Sequence, residues 1–115
     1  MKVTENFKFA RSKNNKVALY IRANNADGVA VQLFRAMTFA NKKGLSLSPS
    51  RIYADICSGN QFPRPAFDRM LSEKSEKQFK TVLITDNTRL ARNPETLFMA
   101  NMMLVMRGLT LKEVG

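Results

Sequence analysis

Apolar and polar positions alternate along the chain in short runs and longer helical stretches. Val17-Ala-Leu-Tyr-Ile21 is continuously apolar, then gives way at Arg22 and, past Ala23, at Asn24 and Asn25. So short an unbroken run reads as a strand buried on both faces of a parallel sheet. Asp27 is placed to cap a helix running to Lys43 and closed by Gly44. Within it Val29, Leu33, Phe34, Met37 and Ala40 recur at helical spacing and are expected to face the sheet. After a Ser-rich connection over Leu45–Ser50, Arg51–Asp55 reads as a second strand and Cys57–Asn60 as a turn. Pro65 suits the first turn of a helix through Ala66, Phe67, Met70 and Leu71, which ends in a solvated polar run, Ser72–Gln78. Lys80–Thr85 is a third strand, and Asp86–Asn93 a loop bearing Arg89 and Arg92. Asn93-Pro94-Glu95 opens a helix over Glu95–Met106, Gly108 ends it, and Leu109–Val114 starts a last strand.

Strand and helix thus alternate three times. That predicts an α/β fold with a mostly parallel central sheet flanked by helices, in flavodoxin-like layers joined by right-handed crossovers. The helix over 95–106 is apolar nearly all round. One side can pack on the sheet; the other requires a cover, expected from a missing segment, a second copy or a partner subunit.

Composition narrows the chemistry. At 115 residues the chain is long enough for one domain and too short for two. The absence of histidine and the single Cys57 exclude the usual zinc sites, histidine-based triads and an internal disulfide. A lone thiol suits the cytoplasm, and no apolar run is long enough for a membrane span. Nineteen Lys and Arg against nine Asp and Glu give a net charge of +10, which calls for a polyanionic partner, nucleic acid or anionic lipid. Part of that excess lies in a basic tail over residues 1–15, ahead of a domain over residues 16–115.

The polar residues at strand ends and in the following loops are Arg22 and Asn24, then Asp55, Ser58 and Arg64, then Arg89 and Arg92. In a parallel sheet these loops share one edge, the edge where ligands bind. Four arginines gathered there are suited to bidentate contacts with phosphate oxygens.

These residues also carry a resemblance. Tyr20-Ile-Arg22-Ala-Asn24 is similar to the Tyr-x-Arg-x-Ser motif of the serine recombinases, the resolvase and invertase group. Gln32-Leu33, with Gly44 beyond it, matches their first helix. Asp55-Ile-Cys-Ser58-Gly59 resembles their Asp-x-x-Ser-Gly turn, and Arg64-Pro-Ala-Phe-Asp-Arg-Met-Leu71 their Arg-Pro-x-Phe segment. Thr88-Arg89-Leu90-Ala91-Arg92 resembles their Asp-Arg-Leu-x-Arg signature. The resemblance implies a resolvase-like catalytic domain. In this family the motif serine attacks a DNA phosphodiester to form a phosphoserine link. It assigns phosphate binding to Arg22, Arg64, Arg89 and Arg92 and site support to Asp55 and Gln32, and it requires no metal or cofactor.

Two positions depart from the family pattern. Asn24 stands where the nucleophilic serine belongs, and an amide nitrogen conjugated to its carbonyl does not attack phosphodiesters. Thr88 replaces the signature aspartate. The expectation is therefore a site-specific DNA recombinase domain impaired in strand cleavage. The alternative is a non-catalytic module that binds DNA or regulates an active recombinase. A receiver-like signalling domain would need acids where this chain has arginines. Relatives continue into a dimerising helix and a DNA-binding module, so the chain is expected to be either a fragment or a stand-alone relic.

Overall fold

The computed structural model describes residues 15–115, so the basic tail, apart from Asn15, lies outside the described residues. Strand β1 (Val17–Ala23) is buried along its whole length, as a continuous apolar run demands. Helix α1 (Ala26–Lys43) leads to a 3₁₀ turn over Pro49–Arg51 and strand β2 (Ile52–Ile56). Helix α2 (Pro65–Lys77), strand β3 (Thr81–Ile84), short helix α3 (Asn87–Leu90), helix α4 (Pro94–Met106) and strand β4 (Thr110–Glu113) complete the chain.

The four strands form one parallel sheet in the order β2-β1-β3-β4. The chain steps from β1 outward to β2, then crosses back over β1 to β3 and on to β4. Crossovers of one hand in opposite directions put their helices on opposite faces. Accordingly Val17, Leu19, Ile21 and Ala23 pack with Ala36 and Ala40 of α1. On the other face Ala18 and Tyr20 join Phe67, Met70, Ala100 and Leu104 of α2 and α4. The direction of travel reverses between β1 and β3, which opens a crevice at their carboxyl ends.

Several local expectations shift. Asn25, not Asp27, caps α1, its Oδ1 accepting the Gly28 N–H at 2.8 Å. Asp27 lies in the first turn, where its charge suits the positive end of the helix. Phe34 and Met37 do not face the sheet; they are 72% and 51% exposed. The small side chains of Ala36 and Ala40 take the contact face with Val29 and Leu33. Phe34 and Met37 lie further round the helix and line an apolar groove with Leu45 and Leu47. Arg51 precedes the second strand, and its guanidinium bonds the carbonyls of Val17 (3.0 Å) and Ser46 (2.9 Å). The polar run after Leu71 continues α2 as far as Lys77, and its Glu73 accepts from the Tyr53 hydroxyl at 2.8 Å. The fully solvated face expected there is thus partly engaged. Among the described residues, no helix is long and apolar enough to cross a membrane.

Candidate functional site

Each element around the crevice delivers one part of the expected constellation. Arg22 is the sixth residue of β1, two positions beyond Tyr20 on the α2 face of the sheet, and is 3% exposed. Its Nε donates to the Arg89 carbonyl at 2.8 Å and its Nη2 to the Thr88 carbonyl at 3.2 Å. Nη1 donates to the Cys57 carbonyl at 3.2 Å and to Asn24 Oδ1 at 3.3 Å. One guanidinium thereby ties the end of β1 to the loops after β2 and β3, with a single N–H left over.

Arg64 follows the same plan in a more deeply buried position. It has no exposed surface, and its nitrogens donate to the carbonyls of Gln61 (2.8 Å), Gly59 (3.1 Å) and Leu90. Its guanidinium also stacks over the Phe62 ring, 4.4 Å from the centroid. Thr88, Arg89 and Leu90 are the last three residues of α3, so two buried cations hold successive carbonyls at the negative end of that helix. Every buried side-chain nitrogen and oxygen among the described residues has a hydrogen-bond partner.

Arg89 and Arg92 differ from this pair. Both are exposed, and among the described residues neither guanidinium meets a hydrogen-bond acceptor or a carboxylate of the chain. Burial lowers the pKa of Arg22, and the positive charges of Arg64, Arg92 and Arg89 lower it further; the Cys57 thiol opposes them. The other three guanidiniums are therefore close enough for Arg22 to feel their charge. Asn24 is exposed beside them, its Oδ1 turned to Arg22 and its Nδ2 left as a donor.

Two further residues of the motif reading, Gln32 and Asp55, are buried and hydrogen-bonded. Gln32, buried on α1, donates from Nε2 to the Arg22 carbonyl at 2.9 Å and accepts from Thr85 at 3.5 Å. Asp55 accepts from the Tyr20 hydroxyl (2.8 Å) and from the N–H groups of Ala66 (2.9 Å) and Phe67 (3.0 Å). It thereby caps α2 from a distance, because Arg64 at the N-cap position makes no side-chain capping bond. Burial pushes the Tyr20 phenol well above its ordinary range, and Asp55 adds to the shift. Burial likewise raises the Cys57 thiol.

Residue-by-residue reading missed Asp86. Its Oδ1 accepts from the Thr88 hydroxyl and from the Arg89 N–H (3.1 Å), capping α3. The Thr88 hydroxyl is the chief reason its carboxyl sits below the ordinary 3.8. An aspartate directly before Asn-Thr-Arg is a cap signal that was available in the sequence. Glu113, which accepts the Asn87 N–H at 2.8 Å, comes from β4 and had no local signal.

A family model described as the N-terminal domain of resolvase matches residues 17–114. The chain belongs to the resolvase family. Solved structures of serine recombinase catalytic domains share the fold. The N-terminal catalytic domain of TP901-1 integrase is 26% identical over 86% of this chain and 77% of that one, with a TM-score of 0.71. A resolvase family site-specific recombinase from Streptococcus pneumoniae is 27% identical over 86% of this chain and 71% of that one, at 0.67. The C-terminal catalytic domain of ISC1926 TnpA, an IS607-like serine recombinase, reaches a TM-score of 0.72 at 20% identity, over 87% of this chain and 67% of that one, and supports the fold alone. No curated protein matches the chain. As a resolvase-family domain, the molecule has its crevice at the carboxyl ends of the same parallel strands from which the motif residues emerge.

Proposed function

We propose that this resolvase-family domain seats a DNA backbone phosphate at the carboxyl ends of β1 and β3 and is impaired in strand cleavage. The observation that carries the reading is the pair of exposed guanidiniums, Arg89 and Arg92, unpartnered among the described residues and set beside Arg22 and Asn24. They are the groups free to make charge-assisted bonds to phosphate oxygens. Arg22 adds its remaining N–H. Arg64 contributes by holding the loops, since its nitrogens are engaged by carbonyls.

Asn24 donates from Nδ2 where the family presents a serine hydroxyl. It can hold a phosphate oxygen but supplies no nucleophile. Thr88 removes a carboxylate from the signature position. The outcome is phosphate binding without covalent capture, consistent with a DNA-binding or recombinase-regulating module. Assembly with a second copy or a partner recombinase would use the exposed side of α4, where Phe98, Met99, Met102, Val105 and Met106 form an apolar face.

Fluorescence anisotropy on a labelled duplex over a salt series tests the proposal. Non-specific binding of this kind has Kd of roughly 10⁻⁴ to 10⁻⁶ M and weakens steeply with salt. Replacing both Arg89 and Arg92 with alanine should reduce the slope of log K against log salt by about 0.9 for each phosphate that is no longer neutralised. An unchanged slope would overturn the phosphate site, and a protein–DNA adduct surviving denaturation would overturn the assignment of Asn24.

A further inference from the structure

Gly59 has an environment that the phosphate reading does not explain. It is buried, and its φ lies outside the left-handed range, where Gly44, Gly108 and Gly115 are found. Conformational freedom therefore gives no reason for glycine here. Space does. A Cβ added at Gly59 would lie 3.0 Å from Arg92 Cβ and 2.6 Å from Arg92 Cδ, and closer still to Cγ. The Arg92 stem runs directly across the glycine backbone. The Gly59 carbonyl accepts from the Arg92 N–H at 3.2 Å and from Arg64 Nη2 at 3.1 Å.

We infer that Gly59 is a positioning residue that aims Arg92. The missing side chain leaves a channel for the arginine stem, while its carbonyl, gripped by buried Arg64, fixes the channel relative to α3. The inference rests on Arg92 meeting phosphate, as proposed above, and adds what directs it there. A methyl group at residue 59 conflicts with the near end of the stem, not with its mobile tip. Relief then requires rotation at χ1, and moving to another staggered well swings the guanidinium away from Arg22.

A double-mutant cycle over Gly59→Ala, Arg92→Ala and their combination tests this, read by duplex affinity and by thermal unfolding. Gly59→Ala should weaken duplex binding about as much as Arg92→Ala does, on the order of tenfold for one charge-assisted contact. The double variant should bind no worse than either single one. In unfolding, Gly59→Ala should lower Tm in the parent and lower it clearly less once Arg92 is alanine, because Cγ and Cδ are gone and only the 3.0 Å contact with Cβ remains. That second background keeps the test open if Gly59→Ala alone folds poorly. Parent-like affinity in Gly59→Ala alongside weakened Arg92→Ala would overturn the inference, as would additive losses in Tm. If Arg92→Ala binds like the parent, the phosphate reading of Arg92 fails. The Tm cycle then decides the channel alone, non-additivity upholding it and additivity overturning it.

Discussion

Replacing Arg64 with methionine separates two roles that an arginine at this position can have. Methionine follows the aliphatic stem and removes the three donors that hold Gln61, Gly59 and Leu90. Each hydrogen bond from a charged group contributes about 1.5–3 kcal/mol. The carbonyls of Gln61 and Leu90 lose this donor, while that of Gly59 keeps the Arg92 N–H, and against the loss stands relief from burying a full charge. Three such bonds, less that relief, put the net cost at about 3–5 kcal/mol. A chain of this size has a total stability of roughly 6–17 kcal/mol, so the variant should fold but unfold early. At about 4 °C per kcal/mol its Tm should fall by ~12–20 °C. Urea unfolding followed by circular dichroism gives the free energy, and duplex titration below the transition gives the affinity. Stability should fall far more than affinity, with the opposite pattern for Arg89→Met. A variant within ~1 kcal/mol of the parent that has lost DNA binding would refute the clamp and make Arg64 a phosphate ligand.

Asp55→Ala removes the acceptor of the Tyr20 hydroxyl and of two α2 N–H groups, and chemical denaturation should show a loss of about 2–4 kcal/mol. Thr88→Val should raise the depressed pKa of Asp86, observable by carboxyl NMR titration. Because the folded value lies below the ordinary one, the linked stability is present above the unfolded range and lost as pH falls through the folded value. The variant should therefore be less stable than the parent at neutral pH and converge with it in acid. Asn24→Ser alone should give little covalent adduct on a denaturing gel and Asn24→Ser with Thr88→Asp more; equal amounts would remove Thr88 from the account. Met102→Lys should dissociate any assembly through α4 in sedimentation without unfolding the monomer. Met103→Lys, packed against the core, should instead cost several kcal/mol, roughly the penalty of an unpaired buried charge.

The sheet was legible because its signals are local. The run Val17–Ile21, the Gly44 stop and the Asn93-Pro94 start each settle an element within a few residues. The faces of α1 were less legible, since periodicity counts Phe34 and Ala36 alike, whereas close packing on a sheet prefers the smaller side chain. At the site, the motif order showed which residues converge. It did not show that Arg22 and Arg64 turn inward while Arg89 and Arg92 turn outward. That division depends on which loop carbonyls lie within reach, a property of tertiary packing and not of spacing. Asp55 illustrates the same limit: it serves α2 from strand β2 because the proper cap position holds an arginine.

The inward arginines are surrounded by carbonyl dipoles, and among the described residues no carboxylate pairs with Arg22 or Arg64. A carboxylate would turn each guanidinium into a nearly neutral couple, whereas a dipole solvates a charge without cancelling it. Arg22 and Arg64 thus form a fixed positive pole within the carboxyl end of the sheet, with no contacting carboxylate to cancel it. Arginine stays protonated throughout the accessible range, and the chain has no histidine to titrate near neutrality. The strength of that pole should be almost indifferent to pH between the carboxylate range and strong alkali. Ionic strength alone would set its reach, through a Debye length of about 8 Å at 0.15 M salt.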